Sequence, residues 1–152
     1  METKISAYPT QQYLGQNYLV QDAAATYETP KYKRIHLIRK GLPFSALAHF
    51  LKTSGLSQLE LAIIFQVSTR TVQRYSPQQN LPPQVSEKLL ALNDLYQQAG
   101  LALAGSPQNI TQWLRKPLAA LGNLAPLSLL DTFEGLQEVK VILGRLEWGV
   151  YS

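Results

Sequence analysis

The chain has 152 residues, 45% of them hydrophobic, with two histidines and no cysteine. That is enough apolar material for a packed core, while disulfides, thiolate nucleophiles and cysteine-bearing zinc sites are excluded. The net charge of +4 is unevenly placed: through residue 74 there are nine Lys or Arg against four Asp or Glu, and from residue 75 five against six, so the front half suits a polyanionic partner.

His36 and His49 do not form a ligand-like pair, and neither a metal nor a cofactor is expected. No apolar run approaches the roughly 18 residues that cross a bilayer. The opening METKISAYPTQQYLGQNYLV lacks the basic-then-apolar order of an export signal. A cytoplasmic protein with no membrane partner is the expectation.

Residues 1–30 are polar and rich in Gln and Tyr, punctuated by Pro9, Gly15 and Pro30. They read as an extended or flexible arm. From Lys31 the pattern turns helical and stops at Gly41. A second helix opens after Leu42 and Pro43, carries Ala46, Leu47, Phe50 and Leu51, and stops at Gly55. Ser57 and Glu60 form a capping box for a third helix through Leu59, Leu61, Ala62, Ile64 and Phe65. After a break at Gln66-Val67-Ser68 comes a short helix from Thr69 to about Tyr75. A long helix from Pro83 to about Leu103 carries Val85, Leu89, Leu92, Leu95 and Tyr96 at helical spacing. Ser106-Pro107 starts a short helix with Ile110, Trp113 and Leu114; Trp113 reads as a core residue. A loop-rich stretch then leads to a last helix from about Thr132 to Trp148, capped by Asp131 or Thr132. Its apolar face is Phe133, Leu136, Val139, Ile142, Leu143 and Leu146. Gly135 and Gly144 inside it cost stability unless something packs closely against them. No segment has the period of a strand, so the fold class is all-α, divided into an arm over 1–30, a helix-turn-helix domain over 31–103 and a C-terminal domain over 104–152.

The segment QLELAIIFQVSTRTVQRY, residues 58–75, has the offsets of a helix-turn-helix. Ala62 sits where the two helices cross, and Leu61, Phe65, Val67, Val72 and Tyr75 turn toward the core. Gln66 holds the turn position where glycine is commonest, so either it adopts a left-handed conformation, at a cost of roughly 1 kcal/mol, or the turn differs. The outward residues of the second helix are Ser68, Thr69, Arg70, Thr71, Gln73 and Arg74. Arg pairs bidentately with guanine and Gln with adenine, while Ser, Thr and Arg hold phosphates. Arg70 and Gln73 are assigned to bases, Thr69 and Arg74 to phosphates. The cluster Lys31, Lys33, Arg34, Arg39 and Lys40 is either a supplementary phosphate contact or a solvated face. Helix-turn-helix proteins usually read two half-sites, so a homodimer is expected, with the helix at 84–103 a candidate pairing surface.

GLPFSALAHFLKTSGLSQLELAIIFQVSTRTVQRY, then SEKLLALNDLYQQA, WLRKP, PLSLLDTFEG and RLEWGVYS, together resemble the Xre/MbcA/ParS antitoxins. These are bacterial type II antitoxins encoded beside a RES-domain toxin. The resemblance spans about residues 40–152, and the ordered series of motifs is more specific than any one of them. It implies a helix-turn-helix that binds operator DNA at the operon's own promoter. It also implies a C-terminal toxin-binding domain that covers the active site of a RES-domain, NAD-consuming toxin. The family's reach toward the toxin cleft carries onto Arg145, Glu147, Trp148, Gly149, Val150, Tyr151 and Ser152. Two positions depart from the pattern. Asn123 replaces a frequent glycine, and Leu118 follows Pro117 where a polar residue is usual.

The tail chemistry agrees with that implication. A dinucleotide pocket is cationic with apolar walls, so Glu147 and the Ser152 carboxylate suit its cations and Trp148 or Tyr151 its ring space. An enzyme is not expected, because carboxylates are few and scattered, no nucleophile neighbours a base, and no phosphate loop follows a strand. The alternative is a stand-alone helix-turn-helix regulator whose C-terminal part serves dimerisation or ligand sensing. A third reading is an adaptor with a degenerate helix-turn-helix.

Overall fold

Helix α1, Lys31–Lys40, opens the part of the chain that a computed structural model describes, residues 31–149. The arm expected over residues 1–30 lies outside the described residues. There follow α2 (Phe44–Ser54), α3 (Gln58–Phe65), α4 (Thr69–Arg74), α5 (Pro83–Leu103), α6 (Pro107–Leu114) and α7 (Phe133–Glu147). Two 3-10 turns, Ala119–Leu121 and Pro126–Leu129, fill the stretch before α7. A single bridge joins Leu118 to Leu124, and the described residues contain no strand.

The boundaries have local causes. Gly41 ends α1 with its N–H donating to the Leu37 and Ile38 carbonyls. Ser106 caps α6 by accepting from Asn109 N–H at 3.3 Å, with Pro107 at the first helical position. Of the two candidate caps for α7, Thr132 does the work, its hydroxyl accepting from Gly135 N–H at 3.1 Å. Asn123 turns left-handed with φ 63, as an asparagine at a glycine position can.

Helix α5 is the hub. It packs against α1 and α3 of the front part and against α6 and α7 of the back part. Leu89, Leu90, Leu92, Leu95 and Ala99 on it are almost fully buried, each leucine contributing about 1.5–3 kcal/mol of burial. Tyr96 stands edge-on to Phe50 of α2, ring centroids 5.1 Å apart. Between Val85 and Gly100 only Glu87 is exposed. The helix at 84–103 is thus largely covered by this chain, with Gln84, Glu87 and Leu101 left exposed. One cluster of buried residues runs from Leu42 to Leu143, so front and back share a core.

Two apolar expectations are corrected. Phe133 is 72% exposed and Leu59 is 59% exposed. On α7 the buried arc is Leu136, Val139, Ile142 and Leu143, and Phe133 lies roughly 120° around the helix from its centre. On α3 the buried arc is Leu61, Ala62, Ile64 and Phe65; Leu59 and Ile63, one turn apart, look outward.

The two glycines of α7 differ. A Cβ at Gly135 would stand 2.0 Å from the Leu129 carbonyl oxygen, so the turn before α7 passes directly over this position. A Cβ at Gly144 would meet only the Gln98 side-chain nitrogen, at 3.8 Å.

Candidate functional site

The helix-turn-helix is built from its caps inward. Ser57 Oγ accepts from Glu60 N–H at 3.1 Å, and Glu60 Oε2 accepts from Ser57 N–H at 2.7 Å, which completes the capping box. Helix α3 ends at Gln66, left-handed at φ 57 and ψ 42. There Val67 N–H donates to Ala62 O and Gln66 N–H to Ile63 O, each at 3.0 Å. This is a Schellman closure made without glycine. It turns the chain sharply enough for α4 to pack back on α3, with Ala62 2% and Val72 4% exposed where they meet.

That packing sorts the residues of α4. Val72 is buried and Tyr75 half-buried, with burial raising the Tyr75 hydroxyl pKa. Arg70, Gln73 and Arg74 are exposed, Thr69 and Thr71 half-buried. Ser68 is exposed but its hydroxyl is engaged. It accepts from Thr71 N–H at 3.0 Å and pairs with the Thr71 hydroxyl at 2.8 Å. Ser68 and Thr71 thus form the helix cap, and Arg70, Gln73 and Arg74 remain as the long outward side chains. Of the basic cluster on α1, Arg34 is paired with Asp94 of α5 at 2.5 Å, whereas Lys31, Lys33, Arg39 and Lys40 are exposed.

At the other end, α7 delivers Arg145, Glu147, Trp148 and Gly149 to the surface. Trp148 is 81% exposed and so does not close the domain as a packing residue. Its N–H donates to Gly144 O at 3.2 Å and ends the helix, and Gly149 follows at φ 65. Val150, Tyr151 and Ser152 lie outside the described residues. Trp113 packs half-buried against the core, as its place on α6 predicts.

Sequence reasoning missed the joint between front and back. Arg115, just after α6, donates from Nε to Glu60 Oε1 at 2.8 Å and from Nη2 to Oε2 at 2.9 Å. It also donates to the Gly55 carbonyl at 3.3 Å. The hydrogen bonds from Arg115, backed by those from Ser57, hold the Glu60 pKa down at about 2. Thr111 donates to Ser54 O and shares a 2.6 Å hydrogen bond with Tyr96, whose own pKa burial pushes up to about 12. Lys88 on α5 donates to Ile64 O at 2.8 Å and Asp131 O at 3.2 Å, tying the end of α3 to the entry of α7. Burial lowers its pKa, and Asp131 partly offsets this. The only signal for these pairs was the basic Arg115 in WLRKP; nothing in the spacing names its partner. Among the described residues no helix is long and apolar enough to cross a membrane, and no acidic or histidine cluster suits a metal.

Comparison with known proteins places both halves. Residues 33–93 match the family model described as the antitoxin Xre-like helix-turn-helix domain. Residues 99–149 match that of the antitoxin Xre/MbcA/ParS C-terminal toxin-binding domain. A Sphingobium protein named Prs ADP-ribosylating antitoxin is 30% identical over 137 residues, covering 84% of this chain and 86% of that one. Antitoxin Xre of Photorhabdus laumondii is 24% identical over 117 residues, covering 76% of this chain and 79% of that one. In fold, the chain is similar to a chain of the M. tuberculosis MbcT-MbcA toxin-antitoxin complex. The TM-score is 0.56 and the identity 21%, over 71% of this chain and 96% of that one. An all-α chain with a helix-turn-helix in front and this C-terminal module behind belongs to the Xre/MbcA/ParS family of type II toxin–antitoxin antitoxins.

Proposed function

We propose that the chain neutralises a RES-domain, NAD-consuming toxin by covering its active site with the C-terminal segment. In the same reading, α3 and α4 bind operator DNA at its own promoter and autoregulate transcription. Residues 31–103 then serve DNA, residues 104–152 serve the toxin, and the chain acts as inhibitor and repressor, not as an enzyme. The carrying observation is Trp148, an indole left in solvent at the end of the last helix of a domain that the family model describes as toxin-binding. The Sphingobium relative's name speaks of ADP-ribosylation, chemistry that draws its ADP-ribose from NAD. Arg145, Glu147, Trp148, Gly149, Val150, Tyr151 and Ser152 are the segment we assign to the cleft. Glu147 faces its cations, and Trp148 or Tyr151 occupies ring space.

For DNA, Arg70 and Gln73 are assigned to base edges, Thr69 and Arg74 to phosphates, and Ser68 and Thr71 to holding the start of α4. Two copies would read two half-sites one turn apart. The test is co-expression with the product of the adjacent open reading frame, followed by co-purification and measurement of cellular NAD. Deleting residues 148–152 is expected to abolish protection while operator binding persists. Full protection by the truncated chain contradicts the assignment of the tail.

A further inference from the structure

A helix leaves its last carbonyls without partners inside the helix. Thr53 and Ser54 close α2, and Gly55 caps it at φ 71. Their three carbonyls are met one after another from α6 and the residue that caps it. Gln108 Nε2 donates to Thr53 O at 2.8 Å, Thr111 Oγ1 to Ser54 O at 2.5 Å, and Arg115 Nη2 to Gly55 O at 3.3 Å. Positions 108, 111 and 115 fall within a sector of roughly 60° on a helix, so one face of α6 holds three successive carbonyls of the turn between α2 and α3.

The same face reaches into α3. Arg115 grips the Glu60 carboxylate at 2.8 and 2.9 Å, and that carboxylate accepts from Ser57 N–H to start the helix. At the other end of α3, Lys88 bridges Ile64 O and Asp131 O. Helix α3 is therefore held at both ends by way of the back part of the chain. Gln108, Thr111, Arg115 and Asp131 all lie within residues 99–149, the span matched as the toxin-binding domain, and outside residues 33–93, the span matched as the helix-turn-helix. Helix α4 packs on α3, so the direction in which Arg70 and Gln73 are presented follows from where α3 is held.

We infer that α6 sets the helix-turn-helix for DNA recognition, with Gln108, Thr111 and Arg115 as positioning residues that act on α3 and α4 without touching the duplex. This rests on the reading of α3 and α4 as DNA-binding, and it gives the back part a role in operator recognition separate from any contact with a toxin. Hydrogen bonds suit the task better than apolar packing. Apolar burial is non-directional and lets a turn slide, whereas a carbonyl that gives up water for one fixed donor is held in distance and angle. Arg115 carries most of the effect, because its paired, charged bonds are the strong ones.

The experiment titrates the full chain against the duplex upstream of its own gene and a scrambled duplex of equal length, over a salt series and well below the thermal midpoint. Arg115→Met is expected to weaken binding to the upstream duplex by about five- to tenfold. Binding to the scrambled duplex and the salt slope should stay near wild type, because no phosphate contact is lost. Gln108→Ala, a change at an exposed residue, should give a smaller loss of the same kind. Arg115→Lys keeps the charge without the two-pronged grip and should recover part of the affinity. In a Glu60→Gln background Arg115→Met should cost less than it does alone, as coupled partners do. Ile142→Val, a buried change on α7 that lowers the thermal midpoint, should leave DNA affinity unaltered. If Arg115→Met and Gln108→Ala bind the upstream duplex like wild type while Arg70→Ala does not, the DNA reading stands and the positioning role falls. If Ile142→Val loses as much affinity as Arg115→Met, lost stability explains the effect and the inference is overturned. It is overturned equally if Arg115→Met weakens both duplexes alike and lowers the salt slope by about 1, the mark of a direct phosphate contact. If wild type does not bind the upstream duplex, the DNA reading fails and the inference with it.

Discussion

The guanidinium of Arg115 grips the carboxylate of Glu60 through two hydrogen bonds of 2.8 and 2.9 Å, joining the back part of the chain to the first helix of the helix-turn-helix. The same carboxylate closes the Ser57 capping box, so one acidic residue serves a helix start and an inter-module contact together.

Glu60 therefore links stability to pH in a defined window. Its pKa falls from 4.5 to about 2 on folding, so its contribution is fully present above pH 4.5 and is lost as pH drops toward 2. The pair is partly open to solvent and screened, so the expected contribution is about 1–2 kcal/mol, less than the full shift would give. Glu60→Gln should unfold at a lower temperature than wild type at pH 7, with the difference closing over that acid range. A difference that does not vary with pH would mean that ionisation of the carboxylate carries none of the effect.

Gln66 pays for the left-handed turn that glycine makes more easily. An L-residue there costs roughly 1–2 kcal/mol, part of which glycine gives back as backbone entropy. Gln66→Gly is expected to stabilise the chain by about 0.5–1 kcal/mol, read as a higher denaturation midpoint. A loss of stability would mean that the glutamine side chain makes a contact worth more than the strain it carries.

Gly135 should tolerate nothing larger. Its missing Cβ coincides with the Leu129 backbone, which cannot move without displacing the turn that leads into α7. Gly135→Ala is expected to cost about 2 kcal/mol or more by overpacking. Equilibrium urea unfolding measures it, and a near-neutral result would show that the Pro126–Leu129 turn yields freely.

The parts of this fold that could be read from residues were local. Ser57 and Glu60 announce a helix start because the capping box is confined to four positions, while Gln66 left a choice between a strained residue and a different turn that the backbone resolves at φ 57. Apolar periodicity was less decisive. It marks Phe133 and Leu59 as apolar residues on helices, but α3 and α7 carry apolar residues on more than one side. Which side faces inward is set by partners distant in the chain. The hub role of α5 and the Arg115–Glu60 and Lys88 contacts depend on that same packing. Of the candidate site, the outward set on α4 was legible, while the division between Ser68 and Thr71 as cap and Arg70, Gln73 and Arg74 as free side chains needed hydrogen-bond geometry.

That division sharpens the DNA prediction. With α4 in a major groove, Arg70→Ala removes a base contact, expected to cost about 1–3 kcal/mol and to relax sequence preference at one position. Arg74→Ala removes a phosphate contact, so it should weaken binding to all sequences alike and lower the salt slope by about 1. Ser68→Ala belongs to neither class. Its hydroxyl caps α4, so its loss should cost about 1 kcal/mol of stability and reduce DNA binding only as far as the helix frays. Mobility shifts over a salt series, with operator and scrambled duplexes, separate the three. If Arg70→Ala and Arg74→Ala both leave operator affinity intact, α4 is not the recognition helix, and the family's front module serves this chain as scaffold alone.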